Sequence, residues 1–299
     1  MTLAQLKPYY GFTRLPFNRQ IPASALYRSS AHQEALARIA FVIEQEALGL
    51  LTGEVGSGKT VAARAAVAAL DASRYTVIYL ANPSVGARGL YHQIVLALGG
   101  EPRFHTATLI PQAHELLAHE RAERGKRVVV LIDEAHLLAP DQLEEIRLLT
   151  NAEMDSQSPF AGILLGQPAL RKRLRLGSFA ALDQRLALRY ELPGMSPEET
   201  AAYLRHHLTL AGRDDTLFSD DAVALLHRAS RGIPRALNNL AVQALVAAYA
   251  EQKASSTNPP PAPRSPRSPP NSHASRANRP SRTAAAHPGD KRRGRPERE

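Results

Sequence analysis

The sequence predicts an α/β fold, in which a parallel sheet is covered by helices, followed by a small all-helical domain and a disordered tail. Three observations support this prediction. Strand-like and helical patterns of apolar residues alternate between Ser29 and Leu192. The run Val128–Ile132 is continuous and mainly β-branched, which is typical of a strand buried on both faces. Only helical patterns follow Leu192, and a segment rich in Pro, Ser, Ala and Arg begins at Ala254.

The elements of the α/β part follow one another in a regular order. Helices are expected at Ala31–Glu46, Thr60–Leu70, Leu90–Leu98, Leu109–Arg124 and Asp141–Thr150, and strands at Ala47–Thr52, Thr76–Leu80, Val128–Ile132 and Phe160–Leu165. The first helix has Leu36, Ile39 and Ile43 at helical spacing, and Gly125 ends the fourth helix. Strands that alternate with helices favour a parallel sheet with helices on both faces.

The part after Leu192 is predicted to be helical, with helices at Ser196–Gly212, Ser219–Arg231 and Pro234–Gln252. The segment Ser196–Glu199 places proline at the first helical position and glutamate at the third, and Ser219–Asp221 offers capping oxygens and acids. The predicted domains are an aromatic lead-in at residues 1–28, an α/β core at 29–194, a helical lid at 195–253 and the disordered tail at 254–299.

Composition excludes several classes of protein. Cysteine is absent, so neither a disulfide framework nor a thiolate metal site can form. The N-terminus has no apolar segment followed by a cleavage site, and no stretch approaches the roughly 18 uncharged apolar residues of a membrane span. We therefore expect a soluble, cytoplasmic protein without a membrane span.

The positive charge of the chain is concentrated at its C-terminal end. Of a formal net charge of +9, residues 254–299 carry +7, from ten Arg or Lys against three Asp or Glu, which leaves +2 for the rest. The high isoelectric point therefore says little about the partners of the folded part.

A phosphate-binding loop is predicted between the first strand and the second helix. Gly53-Glu54-Val55-Gly56-Ser57-Gly58-Lys59-Thr60 fits the pattern G-x-x-x-x-G-K-[ST] completely. Its glycines let backbone N–H groups surround phosphate oxygens, Lys59 reaches the β- and γ-phosphates, and the Thr60 hydroxyl ligates Mg²⁺. The alternative is a glycine-rich turn before a helix, but the position between strand and helix favours ATP as the ligand.

Two acids follow the buried strand about 70 residues downstream. Asp133 ends that strand, where a carboxylate is costly unless it meets a cation, and Mg²⁺ is that cation. Glu134 can polarise the attacking water, so the pair indicates hydrolysis rather than binding alone. The alternative is that both acids cap the next helix. His136 is interpreted as a helix-start residue near the site rather than as a metal ligand.

Three more polar residues are candidates for the site. Gln167 follows the strand Phe160–Leu165, whose C-terminal end faces the ligand crevice of a parallel sheet, although it could be only a turn residue before proline. Arg185 and Arg189 lie four residues apart, on one face if the segment is helical, and Arg185 is the first candidate to reach a neighbour's γ-phosphate. Arg235 begins the last helix and could fold back onto the phosphates. The alternatives are a solvated arginine and an ordinary cap residue.

Several segments, taken together, resemble the ExeA/GspA-type AAA+ ATPases. They are Tyr10–Phe12, Pro16-Phe17, His32 with Ala35, Gly53–Thr60, Ile132–His136, Gly166–Pro168, Asp183–Leu186 and Gly232–Arg235. The match runs in order over residues 5–252 and is therefore more specific than a phosphate-binding loop alone. The resemblance implies an AAA+ core with a helical lid, in which Gln167 is sensor 1, Arg185 the arginine finger and Arg235 sensor 2.

The resemblance also implies partners. Secretion-type members continue into a membrane span and a peptidoglycan-binding domain, whereas mobile-element members are short, soluble and assist a transposase. The absence of the span and the extra domain makes this chain similar to the second branch. It is therefore expected to be a homo-oligomeric ATPase that regulates DNA transposition, and the alternative is a secretion-assembly ATPase acting on protein partners. The basic tail is either a DNA-binding arm or the product of a frameshift.

Overall fold

The computed structural model of the chain describes residues 5–18, 22, 25–150 and 158–257. Its α-helices are α1 (Leu6–Tyr10), α2 (Ser30–Glu44), α3 (Lys59–Ala68), α4 (Gly86–Ala97), α5 (Thr106–Ala122), α6 (Pro140–Leu149), α7 (Pro168–Leu174), α8 (Ala180–Arg185), α9 (Pro197–Leu210), α10 (Asp220–Ser230) and α11 (Pro234–Thr257). Its strands are β1 (Leu48–Gly53), β2 (Tyr75–Leu80), β3 (Arg127–Ile132), β4 (Phe160–Gly166) and β5 (Leu186–Leu192).

The strands form a single parallel sheet within the described residues, in the order β2-β3-β4-β1-β5. β1 and β4 lie inside the sheet and are buried along their whole length. Successive side chains of β3 point to opposite faces, so Val130 and Ile132 pack into one apolar core while Val129 and Leu131 pack into the other. A strand with a core on each face needs an uninterrupted apolar run, which is why this run was recognisable in the sequence.

Helices cover both faces of this sheet. α4, α5 and α6 supply most of the helical residues of one core, and α2 and α3 supply those of the other. The predicted α/β class with a parallel sheet covered by helices is thereby confirmed. All the predicted strands and helices of this part are present, with ends shifted by a few residues.

One strand was missed by the sequence analysis. The segment after α8 continues as β5, which pairs with β1 at an edge of the sheet, so the condition that would place Arg185 and Arg189 on one helical face is not met. Arg189 lies on the strand, and its side chain donates to Asp183 at 3.0 Å from Nε to Oδ1. An edge strand that is partly exposed tolerates polar residues and thus lacks a strong apolar pattern.

The lid helices begin with the capping signals that the sequence predicts. Ser196 Oγ accepts a hydrogen bond from the Glu199 N–H at 3.1 Å, and the Glu199 carboxylate accepts from the Ser196 N–H at 3.1 Å. Ser219 caps α10 in the same way, through the Ala222 N–H. The bonds are reciprocal at Ser196 and single at Ser219, and they satisfy backbone donors that a helix leaves unpaired at its N-terminus.

The lead-in packs against the lid rather than against the sheet. Phe12 and Phe17 are buried in a third apolar core that the lid helices supply. The Tyr10 hydroxyl donates to the Leu245 carbonyl at 2.8 Å, and Arg213 Nη1 donates to the Tyr10 carbonyl at 2.8 Å. Lead-in and lid therefore share one core, although about 200 residues separate them in the chain.

The predicted tail lies largely outside the described residues, because the description of α11 ends at Thr257. The described residues up to Ala254 form one compact unit. In the described part of the chain, no helix combines the length and apolar character needed to cross a membrane.

Candidate functional site

The loop Gly53–Thr60 connects β1 to α3, as the motif requires. Gly56 and Gly58 have φ angles of +85° and +100°, a region that residues with a side chain rarely adopt. A Cβ atom on Gly56 would lie 2.4 Å from Arg235 Cβ, and one on Gly58 would lie 2.4 Å from His32 Nε2. Both glycines are therefore required by conformation and by space.

Lys59 is almost completely buried beneath this loop, at 9% exposure. Its ammonium group donates to the carbonyl oxygens of Gly53 at 2.8 Å and Glu54 at 3.0 Å. Burial lowers the pKa of Lys59, while the carboxylates of Glu134 and Asp133 oppose that change. The side chain is therefore a cation held inside the loop and facing the two acids.

Asp133 is buried at the C-terminal end of β3 and meets Thr60 there. Its Oδ2 accepts from the Thr60 hydroxyl at 2.8 Å and from the Tyr79 hydroxyl at 2.9 Å. Partial burial and the bond to Asp133 raise the pKa of Tyr79 to about 12. The sequence analysis did not single out Tyr79, because only the register of β2 beside β3 places its side chain next to Asp133.

Glu134 adopts a left-handed backbone conformation, with φ at +51°. Such a conformation is uncommon for a residue with a side chain and is often found at functional sites. Its N–H donates to Asp133 Oδ1 at 2.8 Å, which fixes the turn. The Glu134 carboxylate is about half exposed and lies at the cavity that Lys59 and Thr60 also line.

Gln167 caps α7 directly after β4 and lies at the same cavity. Its Nε2 is 2.9 Å from His136 Nε2, and His136 Nδ1 is 3.3 Å from Glu134 Oε2. The structure therefore brings Glu134 and Gln167 together through His136. The sequence suggested only that His136 lies near the site.

The cavity lies between the α/β core and the lid and has a volume of about 350 Å³. Ligand-binding pockets usually measure about 300–1,000 Å³. The lid contributes Arg235 at the start of α11, and the Arg235 N–H is 3.3 Å from the Gly56 carbonyl oxygen. The Arg235 side chain lies against the phosphate-binding loop, because a Cβ on Gly56 would be 2.4 Å from its Cβ and 3.2 Å from its Cδ.

Aromatic side chains also line the cavity. The ring of His207 stacks on Phe17 at 5.3 Å between centroids and lies 4.3 Å from the ring of Tyr203. Burial lowers the pKa of His207 to about 4, so its ring is neutral at physiological pH. These residues and Tyr27 line the cavity but were not among the predicted site residues, because they come from the lead-in and the lid.

Arg185 is placed apart from the other candidates. It ends α8, and its Nη1 donates to the Thr150 hydroxyl at 3.0 Å. It is not among the described residues that line the cavity. The structure thus brings together Lys59, Thr60, Asp133, Glu134, Gln167 and Arg235, but not Arg185.

The residues present fit a Mg²⁺–nucleotide. His32 lines the cavity, and its Nε2 is buried with no hydrogen-bond partner among the described residues, which a ligand atom would satisfy. A hydroxyl and a carboxylate oxygen, on Thr60 and Asp133, are ligands that Mg²⁺ prefers. Gly53, Glu54 and Val55 complete the loop and would surround the phosphates. In the described part of the chain, no cluster of three or more His, Asp or Glu side chains suggests another metal site.

Residues 43–174 match the AAA domain family. Over 247 residues the chain is 37% identical to general secretion pathway protein A of Aeromonas hydrophila, in an alignment that covers 81% of this chain and 44% of that protein. The chain thus spans less than half of the length of this relative.

Two solved structures share the fold. Cdc6p from Pyrobaculum aerophilum superposes with a TM-score of 0.57 at 17% identity, over 80% of this chain and 66% of that chain. The Aeropyrum pernix ORC1 protein, solved in complex with DNA, gives a TM-score of 0.56 at 16% identity, over 77% of this chain and 63% of that chain. At such identities the similarity concerns the fold alone. With the family match, it confirms the predicted AAA+ type of P-loop fold.

Proposed function

We propose that this chain, an ATPase of the AAA type related to general secretion pathway protein A, uses ATP hydrolysis to control an oligomeric assembly on a macromolecular partner. The observation that carries the proposal is the convergence of Lys59, Asp133, Glu134 and Gln167 on one cavity, to which the lid adds Arg235. Cations, carboxylates and an amide in an enclosed cleft are the groups that phosphoryl transfer to water needs.

Each side chain has a proposed task. Lys59 and the backbone N–H groups of Gly53–Thr60 bind the phosphates, and Thr60 with Asp133 holds Mg²⁺. Mg²⁺, when bound, neutralises phosphate charge. Glu134 accepts a proton from the attacking water, and Gln167 orients the water or the γ-phosphate. Arg235 on the lid adds positive charge over the loop, so the position of the lid depends on the state of the nucleotide.

Arg185 is proposed to act on the nucleotide of a neighbouring copy. Its position outside the cavity of its own chain supports a role in trans rather than in cis. An arginine supplied in this way stabilises the charge of the transition state. The assembly would then be a homo-oligomer in which hydrolysis depends on contact between subunits.

We propose that the partner is DNA. In this proposal the chain regulates transposition together with a transposase in the cytoplasm. The net charge of +7 in residues 254–299 supports DNA, and the motifs resemble a family of which one branch assists transposases. A basic, Pro-rich segment can contact phosphates without reading bases. The second candidate is assembly of a secretion apparatus through protein partners, and the 37% identity to general secretion pathway protein A favours it.

DNA binding by the full chain and by a chain truncated after residue 253 separates these candidates. The two proteins are titrated with duplex DNA, with and without ATP, over a salt series. If the tail neutralises about four phosphates, the full chain should show a slope of about −3.6 in log K against log salt, and truncation should flatten it. Equal affinity and slope would exclude the tail as a DNA-binding arm. If neither protein binds DNA in any nucleotide state, the transposition proposal fails and the secretion candidate is favoured.

A further inference from the structure

A chain of polar contacts runs across the hydrolytic end of the cavity. Gln167 Nε2 is 2.9 Å from His136 Nε2, and His136 Nδ1 is 3.3 Å from Glu134 Oε2. The two outer residues line the cavity, while His136 lies behind them. His136 has no role in the proposed hydrolysis, although its two ring nitrogens face Gln167 and Glu134, which do.

The tautomer of His136 follows from these neighbours. The Gln167 amide nitrogen can only donate, so His136 Nε2 accepts and the ring proton lies on Nδ1. The Glu134 carboxylate, which can only accept, lies 3.3 Å from Nδ1. Nδ1 is buried and makes no hydrogen bond among the described residues, so a small movement of the half-exposed carboxylate completes this bond. If the Gln167 amide were turned by 180°, the ring proton would move to Nε2 and the Nδ1 lone pair would face a carboxylate. The first arrangement is favoured because it leaves no pair of acceptors facing each other.

Burial restricts the His136 side chain, whereas the Glu134 side chain is exposed and can change its rotamer. His136 belongs to the short 3-10 helix Ala135–Leu137, and its side chain is only 15% exposed. The Glu134 side chain is 54% exposed, so it would sample several rotamers without a partner. A buried imidazole beside an exposed carboxylate can therefore restrict the carboxylate to one position.

We propose that His136 is a positioning residue that holds the Glu134 carboxylate through Nδ1–H and links it to Gln167 through Nε2. The inference rests on the proposed tasks of Glu134 and Gln167 in hydrolysis. His136 itself neither touches the substrate nor transfers a proton. It fixes the position of the Glu134 carboxylate relative to the Gln167 amide. This position matters for the rate, because a misplacement of about 1 Å can cost roughly 10²-fold.

Three substitutions of His136 separate its two contacts. In His136→Asn the side-chain amide can supply N–H at the position of Nδ1, whereas in His136→Gln the amide reaches the position of Nε2. We expect kcat for ATP hydrolysis to fall about 10–100-fold in His136→Ala and in His136→Gln, and to recover to within about 5-fold of wild type in His136→Asn. The dissociation constant of a fluorescent ATP analogue should stay within about 2-fold in all three. His119→Ala, at an exposed histidine, is the matched control.

A spectroscopic measurement tests the contact without turnover. The protein is labelled with ¹⁵N-histidine, and the His136 resonances are identified by their loss in His136→Asn. At pH 8 in the absence of nucleotide, the shifts should report the Nδ1–H tautomer, and Gln167→Ala should move them toward the Nε2–H tautomer. Observation of the Nε2–H tautomer in the wild-type protein would overturn the proposal, whatever the kinetics show.

The kinetic outcomes also distinguish this inference from the proposed function. If Glu134→Gln stops hydrolysis and His136→Ala leaves kcat within 2-fold of wild type, then His136 has no positioning role while the site stands. If His136→Ala weakens binding of the analogue as much as it lowers kcat, its role is structural and the inference fails. If Glu134→Gln hydrolyses ATP at the wild-type rate, the proposed catalytic role of Glu134 is wrong, and the inference about His136 falls with it.

Discussion

Glu134 is the residue at which β3 turns into the short 3-10 helix, and its left-handed backbone conformation directs its carboxylate to the cavity. Its carboxylate has no capping role at that helix, because no side-chain capping bond is made there. The alternative that the acids serve as helix caps is therefore not supported for Glu134. Asp133 does accept from the Glu134 N–H, but its other oxygen meets Thr60 and Tyr79.

Glu134→Gln should separate nucleotide binding from hydrolysis. The amide has nearly the same size as the carboxylate, but it cannot accept a proton from water, and general-base catalysis is usually worth about 10²–10⁴-fold. We therefore expect kcat to fall by that factor while affinity for a fluorescent ATP analogue is retained. Phosphate release in single turnovers provides the measurement, with Glu123→Gln at an exposed helix end as the control. Wild-type turnover in Glu134→Gln would assign the base to another residue.

His207 makes the stability of the protein depend on pH. Burial lowers its pKa from 6.5 to about 4 in the folded chain, so between these values only the unfolded chain binds the proton. The contribution is therefore present above pH 6.5 and is lost as the pH falls toward 4. At about 1.4 kcal/mol for each unit of pKa, it amounts to about 3 kcal/mol of unfolding free energy.

His207→Phe should remove most of this pH dependence, because a phenyl ring keeps the stack with Phe17 but cannot be protonated. Urea unfolding between pH 4 and pH 7 provides the measurement. Tyr203→Phe is the control, because the neighbouring ring has a pKa of about 12 and does not titrate in this range. Parallel pH profiles for wild type and His207→Phe would show that another group causes the loss of stability.

At the scale of elements, the first residue of the lid closely approaches the turn between two lid helices. The Met195 N–H donates to the Gly232 carbonyl at 2.9 Å, where the segment after β5 meets the turn between α10 and α11. Gly232 has a φ of +68°, and a Cβ there would lie 2.1 Å from the Met195 carbonyl oxygen. This contact sets where α11 begins and hence where Arg235 lies relative to the loop.

Gly232→Ala should move the lid as well as destabilise it. The left-handed conformation and the backbone clash together cost about 1–3 kcal/mol or more, and the displaced Arg235 should weaken ATP binding. Thermal unfolding and titration with the fluorescent analogue provide the two measurements. Gly177→Ala is a matched control, because a Cβ at Gly177 has no heavy atom within 4 Å. Equal melting temperatures and affinities in both variants would contradict this account of the junction.

The elements also show why the sequence predicts the helix starts well but misses one strand. Ser196 and Ser219 mark helix starts through local capping bonds, so the sequence alone identifies them. β5 exists as a strand because its backbone pairs with β1, which lies more than 130 residues earlier in the chain. Such pairing leaves no local signal, and the arginine spacing resembled a helix instead.

At the scale of the whole molecule, the role proposed for Arg185 needs a second copy of the chain. Arg185→Ala should bind ATP but hydrolyse it poorly, whereas Lys59→Ala should lose ATP binding, because the variant lacks the cation buried beneath the loop. Mixing the two variants should restore part of the activity, because each supplies what the other lacks. Wild-type turnover per subunit should also rise with protein concentration.

Steady-state hydrolysis over a range of mixing ratios tests this prediction. The control is a mixture of Lys59→Ala with Arg175→Ala, which removes an exposed arginine ten residues earlier in the chain and should itself hydrolyse ATP normally. If the mixture of Arg185→Ala and Lys59→Ala stays inactive at every ratio, Arg185 does not act in trans. A turnover per subunit that is independent of protein concentration would count against the shared site as well.

The sequence by itself determined the α/β class, the order of the main elements and the loop Gly53–Thr60 followed by Asp133 and Glu134. These features are encoded locally, as apolar periodicity, capping residues and a motif of fixed spacing. Only the tertiary structure decided that Tyr79 meets Asp133, that His136 lies between Glu134 and Gln167, and that Phe17 and His207 stack where they line the cavity. The physical reason is that, apart from the local pair His136 and Glu134, these contacts join residues 31 to 190 positions apart. Their proximity depends on strand register and on the packing of the lead-in against the lid.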